Sequence, residues 1–147
     1  MDPGRQRALE ARLGHRFADA DRLARALTHA SYAHEHPPAA DQEPLAFVGD
    51  AALSLAVAER LLAQSPAASV GVLTPARAEL VSGANLARWA IVLELGALVQ
   101  LGRGEELSGG RDRESILATT LEAVAGAVYL EAGIDGVRRM VARLAGW

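Results

Sequence analysis

Two carboxylates stand where chemistry would need them. In the stretch EPLAFVGD, Glu43, Ala46, Phe47 and Asp50 are separated by three, four and seven residues, so a helix places them on one face and gives that face two acids. Farther along, Glu122 lies between Leu121 and the run Ala123, Val124, Ala125 and Gly126, in a segment whose composition predicts burial. A buried carboxylate that stays charged without a partner is costly, and it either finds one or becomes protonated. No Lys or Arg stands nearby on that helix, which leaves a metal ion, backbone N–H groups or an Arg from another helix for Glu122. Asp50 by itself could equally cap or face water. His15, His29, His34 and His36 show no metal-ligand spacing with acids on a helical face, and each reads as structural. There is no Gly-x-Ser-x-Gly, phosphate-binding loop or dinucleotide fingerprint, so acyl transfer, nucleotide hydrolysis and hydride transfer lose their usual sequence support. With no cysteine, thiolate catalysis, zinc ribbons and disulfides are excluded.

The elements that must position these acids read as helices throughout, because apolar residues recur at spacings of three and four with no alternating runs bounded by turns. The expected fold class is all-α. A first helix is predicted over residues 5–13, and Asp19 or Asp21 caps a second that ends near Thr28. Residues 29–36 read as a connecting segment. After Pro37-Pro38, Asp41 caps a helix with Pro44 in its first turn that runs to about Gln64. Thr74 and Pro75 make an N-cap and first-position pair for a fourth helix reaching about Leu95 through Gly83. The glycine-rich, charged stretch LGRGEELSGGRDR, residues 101–113, reads as a surface loop. A long, nearly uncharged helix follows over residues 114–131, closed by Gly133, and Asp135 caps a last helix to about Ala145.

With 147 residues, half of them apolar, the chain has the length of one globular domain spanning residues 1–147, with a core that needs no disulfide or metal staple. The first residues lack the apolar run of a signal peptide, and the longest apolar stretch, residues 123–130, is short for a bilayer and interrupted by Gly126. A cytoplasmic protein with no membrane span is expected. The net charge of −3 is unevenly spread: six Arg stand against three acids over residues 5–25, while residues 35–59 carry five acids and no Lys or Arg. Such polarity fits a solvated acidic helix, or a carboxylate metal site flanked by basic surface.

Taken together, five ordered segments resemble the ribonuclease III catalytic domain over nearly the whole chain. LTHASY (residues 27–32) is similar to the family's first conserved segment, EPLAFVGDAALSLAVAERLL (43–62) to its signature helix, and ESILATTLEAVAGAVYLEAG (114–133) to its second acidic helix. LTPARAELVSGANLARWA (73–90) and GRGEELSGGRDR resemble the intervening helix and loop. The signature helix usually reads E-x-L-E-F-L-G-D and the later motif A-D-x-F-E-A. Here the second Glu is Ala46 and the Asp is Thr119, while Asp50 and Glu122 are retained. The compact branch called mini-ribonuclease III, with L-A-Y-I-G-D and S-T-A-F-E-A, shares both departures.

The resemblance implies a two-fold symmetric homodimer of all-α endonuclease domains that cleaves double-stranded RNA with Mg²⁺, for which Mn²⁺ could substitute, and leaves 5′-phosphate ends. In the compact branch, which lacks a double-stranded-RNA-binding domain, the substrate is a ribosomal RNA precursor. By the same resemblance Asp50 and Glu122 hold the metal and are catalytic, Glu43 and Thr119 support the site, and Phe47 enters a socket on the partner subunit. Arg103, Arg111 and Arg113 in the charged loop are the expected contacts to RNA, and weak affinity without an accessory domain implies a possible protein partner for delivery. Losing two anionic ligands at Ala46 and Thr119 weakens divalent-cation binding and bears on activity, although Mg²⁺ keeps several waters and needs few carboxylates. The alternative reading is a catalytically impaired RNA-binding or ribosome-associated scaffold.

Overall fold

A computed structural model describes residues 1–147. Its elements are α1 (Pro3–Leu13), α2 (Ala20–Ala26), α3 (Ala30–Glu35), α4 (Glu43–Gln64), α5 (Val70–Leu80), α6 (Gly83–Val92), α7 (Leu95–Leu98), α8 (Arg103–Leu107), a 3-10 turn at Gly110–Asp112, and α9 (Glu114–Ala145). There are no strands; the only extended pairing is an isolated bridge between Thr28 and Gln100. The all-α expectation holds.

Helices α4 and α9 form the spine. A single apolar cluster collects Leu45, Leu53 and Val57 of α4, Leu121, Val124 and Val128 of α9, Leu9 and Leu13 of α1, Leu23 of α2, and Leu86 and Trp89 of α6. Where α4 and α9 cross, their backbones touch. A Cβ on Gly49 would overlap the carbonyl oxygen of Glu122 and stand 2.7 Å from the Gly126 nitrogen, and one on Gly126 would overlap the carbonyl of Leu45. Only glycine allows helices to approach this closely.

Gly133 (φ 64°, ψ −164°) breaks α9 into two parts, in a backbone conformation open almost only to glycine. The second part returns along α4, where Arg138 donates to both carboxylate oxygens of Glu59 at 2.6 and 2.9 Å. Asp135 does not cap this part; its carboxylate takes Arg138 at 2.5 Å. The first part ends at the Gly133 break as the sequence reading placed it, but α9 contains an 18-residue window adequate by length and hydropathy for a bilayer, longer than the apolar stretch of residues 123–130. Of that window 61% is buried inside the fold, which accounts for its apolar character.

Three other boundaries differ from expectation. Residues 29–36 are not a connector: His29 accepts from the Ser31 N–H through its ring and caps α3. The predicted helix from Thr74 to Leu95 is two helices, because Ser82 breaks the chain and its hydroxyl caps α6 by accepting from the Asn85 N–H at 3.2 Å, with Gly83 as the first residue. Thr74 and Pro75 lie inside α5, which begins at Val70. Finally, the charged loop is ordered. Val99, Leu101 and Ile116 form a small core beneath it, and it folds as α8 and the 3-10 turn.

Glu131 locks the turn between α1 and α2 onto α9. Its buried carboxylate accepts from the Asp19 and Ala18 N–H groups at 2.9 and 3.1 Å and lies 2.8 Å from His15 Nε2. Burial would raise its pKa, but these hydrogen bonds outweigh it and hold the carboxyl below the usual range. Glu131→Ala removes three hydrogen bonds at once and is expected to destabilise the protein by about 2–3 kcal/mol, read as a shift in urea midpoint at constant m-value.

Candidate functional site

Helix α4 starts where the sequence places it: the Asp41 carboxylate accepts from the Glu43 N–H at 2.9 Å, and Pro44 follows in the first turn. Gln42 occupies the cap position itself, fully buried, with neither end of its side-chain amide hydrogen-bonded to protein. From this start the 3.6-residue period carries Asp50 to the crossing with α9. Glu122 reaches the same crossing from the other side, because Gly49 packs against its carbonyl. The two acids, 72 positions apart in the chain, therefore face each other.

Their electrostatics follow from that proximity. The Glu122 carboxyl is pushed up to about 7, first by its partial burial and then by Asp50, which both accepts its proton in a hydrogen bond and repels its charged form. Asp50 itself is exposed to solvent. The partner that a buried Glu122 requires is thus a second carboxylate, not an Arg or a backbone N–H. Two carboxylates sharing one proton are a site that a divalent cation would relieve, by replacing the proton and neutralising both.

The other predicted residues fall around this pair. Thr119, partly exposed, stands one turn before Glu122 on α9, and Ala46, buried, one turn before Asp50 on α4. Thr120, by contrast, is fully buried and donates to the Ile116 carbonyl at 2.7 Å. Glu43 is exposed at the start of the same face of α4. No three or more His, Asp or Glu side chains come together anywhere in the chain, so Asp50 and Glu122 are the whole set of protein carboxylates at the crossing. That donor set fits Mg²⁺, a hard ion that is commonly bound through one or two carboxylates with water and phosphate oxygens completing its shell.

Phe47 is 82% exposed, so it is no part of this subunit's core. Leu55 and Leu62 share its face of α4 at helical spacing and are also exposed, as are Val70 and Val72 of α5, a helix that buries no residue within the subunit. The three loop arginines separate into two kinds. Arg111 donates to the carbonyls of Gly96 and Val99 at 2.9 and 2.7 Å and pairs with Glu106, while Arg113 pairs with Glu105 and donates to the Ser108 carbonyl. Both hold the loop together. Only the backbone of Arg103 is engaged, its N–H donating to Glu35 at 2.9 Å, and its guanidinium is left without a protein acceptor.

Sequence reading missed Gly49 and Gly126 as the positions that join the acids, though a glycine within one turn of each acid on an otherwise well-formed helix is the signal for a close crossing. It also missed the LTHASY segment as a brace. There, Gly102 donates its N–H to the Ser31 hydroxyl at 2.8 Å and leaves no room for a Cβ against the Ser31 carbonyl, which docks the charged loop on α3.

Comparison with known proteins adds a family context. A family model described as Ribonuclease-III-like matches residues 19–145. The chain is 45% identical over 134 residues to Ribonuclease 3 of Caldanaerobacter subterraneus subsp. tengcongensis, covering 90% of this chain and 59% of that protein. It is 47% identical over 140 residues to Ribonuclease 3 of Cereibacter sphaeroides, covering 95% and 60%. The chain therefore spans about three fifths of the length of these relatives. Among solved structures, the nuclease domain of ribonuclease III from Campylobacter jejuni, described for structural flexibility in the region of its dimer formation, superposes with a TM-score of 0.87 at 37% identity over 93% of each chain.

Proposed function

From the premise that the chain belongs to the ribonuclease III family, we propose that it is a metal-dependent endoribonuclease acting on double-stranded RNA as a homodimer. The observation that carries this reading is the meeting of Asp50 and Glu122 at the glycine crossing, with the Glu122 carboxyl raised to about 7. Packing alone would not favour two acids there, since their mutual repulsion opposes the fold when both are charged.

A divalent cation between Asp50 and Glu122 would supply an activated water for in-line attack on the phosphodiester and stabilise the departing 3′-oxygen. The chain's own part is to present the two carboxylates from rigid helices and to release the proton that Glu122 otherwise retains. The Thr119 hydroxyl, on the Glu122 face of α9, orients a water or a phosphate oxygen, and the space left by Ala46 admits a further water. Glu43, at the outer end of the α4 face, borders the cleft. Hydrolysis breaks the bond to the 3′-oxygen and leaves 5′-phosphate and 3′-hydroxyl ends.

Duplex RNA is recognised here through phosphates and 2′-hydroxyls, with Arg103 the loop arginine free to make such a contact; Arg111 and Arg113 contribute charge from fixed positions. Ribosomal RNA precursors in the cytoplasm are the proposed natural substrates, with a protein partner aiding delivery. A second reading, a non-cleaving RNA-binding scaffold, is favoured by one observation: only two carboxylates gather at the site.

The test is incubation of the protein with labelled duplex RNA in Mg²⁺ and separately in Mn²⁺ at low salt, beside Asp50→Asn. Cleavage giving 5′-phosphate ends, lowered roughly 10²-fold or more in the variant, is the expected result. A duplex that is bound and never cut in either metal supports the scaffold instead.

The homodimer rests on the exposed apolar stripe of Phe47, Leu55 and Leu62. An 11-residue helix with no fully buried residue, as α5 is, held to its own subunit mainly through half-buried positions such as Leu80, gains by packing on a second copy. Phe47→Asp places a charge in that interface and is expected to raise the dimer dissociation constant roughly 30-fold or more, measured by sedimentation equilibrium. A wild-type protein that sediments as a monomer at all concentrations would overturn the dimer.

A further inference from the structure

The arginine-rich N-terminal stretch is not absorbed by the site just described, and the structure shows where its charges go. Arg12 pairs with Glu94 at 2.5 Å, Arg22 lies near Asp19 and Glu131, and Arg25 donates to the Asp41 carbonyl at 2.9 Å. Arg7 and Arg16 have no protein acceptor. They line one open cavity at the C-terminal end of α1 with Glu10, Ala11, Gly14 and His15.

No acid pairs with either of them, although Glu10 keeps its negative charge on the same cavity wall. Glu10 accepts from the Gln6 amide at 3.0 Å and the Phe17 N–H at 3.1 Å, and Glu131 is buried beneath His15. A third guanidinium is built into the rim: Arg143, from the end of α9, lies directly against Gly14 and donates to the Ala11 carbonyl at 3.1 Å. A Cβ at Gly14 would overlap it, so the glycine that ends α1 also makes room for this cation. The patch has no apolar rim, since Leu9 and Leu13 of α1 point into the core, and an amphipathic membrane-surface helix would need those residues outward.

We propose that the end of α1 and the last turns of α9 form a second phosphate-binding surface, in which Arg7 and Arg16, backed by Arg143, grip the backbone of duplex RNA beyond the segment that faces Asp50 and Glu122. This rests on the reading of the chain as a duplex-RNA nuclease. Arg143 stands 21 residues past Glu122 on α9, beyond the Gly133 break, and none of the three arginines contacts either acid, so this surface would engage duplexes long enough to extend to it. Duplex length therefore separates its contribution from that of the cleavage site.

The experiment compares wild type with Arg7→Glu/Arg16→Glu, both exposed positions, on a one-turn and a three-turn RNA duplex without metal, by fluorescence anisotropy at salt between roughly 50 and 200 mM. For the three-turn duplex the variant should bind about tenfold or more weakly, with a log–log salt slope shallower by about two, while the one-turn duplex binds as to wild type and, in a separate incubation with Mg²⁺, is cut as by wild type. Arg7→Gln/Arg16→Gln should give a smaller loss in the same direction, and a thermal melt confirms that each variant is folded. Equal losses on both duplexes, no loss on either, wild-type protein that binds neither duplex, or lost binding to phosphatidylglycerol vesicles with RNA binding intact would each overturn the proposal. Cleavage of the one-turn duplex by wild type is scored separately, so failure of this surface and failure of the nuclease reading are distinguishable.

Discussion

Glu122→Gln is expected to lower duplex cleavage by roughly 10²-fold or more and at the same time to stabilise the metal-free protein at pH 8 by about 1–2 kcal/mol. The two effects share one cause. The Glu122 carboxyl is raised from about 4.5 in the unfolded chain to about 7 in the fold, so the folded state binds more protons between those values. Its contribution to stability is fully present below pH 4.5 and is lost as pH rises through 7. The figure of about 1–2 kcal/mol is well below the full shift because Glu122 is partly exposed and water screens the repulsion. Gln keeps the shape, donates a hydrogen bond to Asp50 and removes the repulsion, so the gain over wild type should be large at pH 8 and vanish near pH 4.5. Paired thermal melts across that range read it directly. An equal Tm difference at both ends would mean that Asp50 and Glu122 do not interact. Cation binding must displace the same proton, so the concentration of Mg²⁺ needed for half-maximal activity should fall as pH rises towards 7, by up to about tenfold per unit.

Gly49→Ala should be the most damaging single-methyl change in the chain, costing about 3 kcal/mol or more and, with it, the site. The added Cβ meets backbone atoms of Glu122 and Gly126, which cannot rotate away as a side chain can, so the two central helices must separate. For a chain of this size such a loss corresponds to a fall in Tm of roughly 10 °C. Gly126→Ala should behave alike, since its Cβ meets the Leu45 carbonyl. The control is Gly104→Ala, in exposed α8, where no atom lies within 4 Å and the change should stay within about 0.5 kcal/mol. In any fraction of Gly49→Ala that stays folded, the carboxylates move apart, and the alkaline destabilisation described for Glu122 should shrink. A Gly49→Ala protein with wild-type stability would show that α4 and α9 do not cross in backbone contact.

What was legible in the sequence was periodicity and punctuation. The apolar spacing of α4 and α9, Pro44 after Asp41, and Gly133 at the break are local signals, and local signals suffice to place a helix and orient its apolar stripe. They also put Asp50, Phe47 and Glu43 on one face and Thr119 on the face of Glu122. Two local signals misled because stronger ones nearby won. Ser82 caps α6 and ends the continuous helix expected through Gly83, and His29 caps α3 in a stretch that reads as a connector. The charged loop gained order from Val99, Leu101 and Ile116, residues at or beyond its edges that meet only in the folded chain.

Tertiary structure alone decided the rest. No spacing rule joins Asp50 to Glu122; that contact exists because Gly49 and Gly126 allow two backbones to touch. Whether Phe47 belongs to the core or to a partner depends on which side of α4 remains uncovered once α9, α6 and the N-terminal helices have packed. Likewise, which arginines are free depends on where carboxylates and carbonyls lie in space. Arg111 and Arg113 spend their charge inside the loop, whereas Arg7 and Arg16 keep theirs. Helical face is a property of residues three and four apart, which the sequence lists in order. Helix separation and charge pairing are properties of residues tens of positions apart, which only the closed fold brings within range.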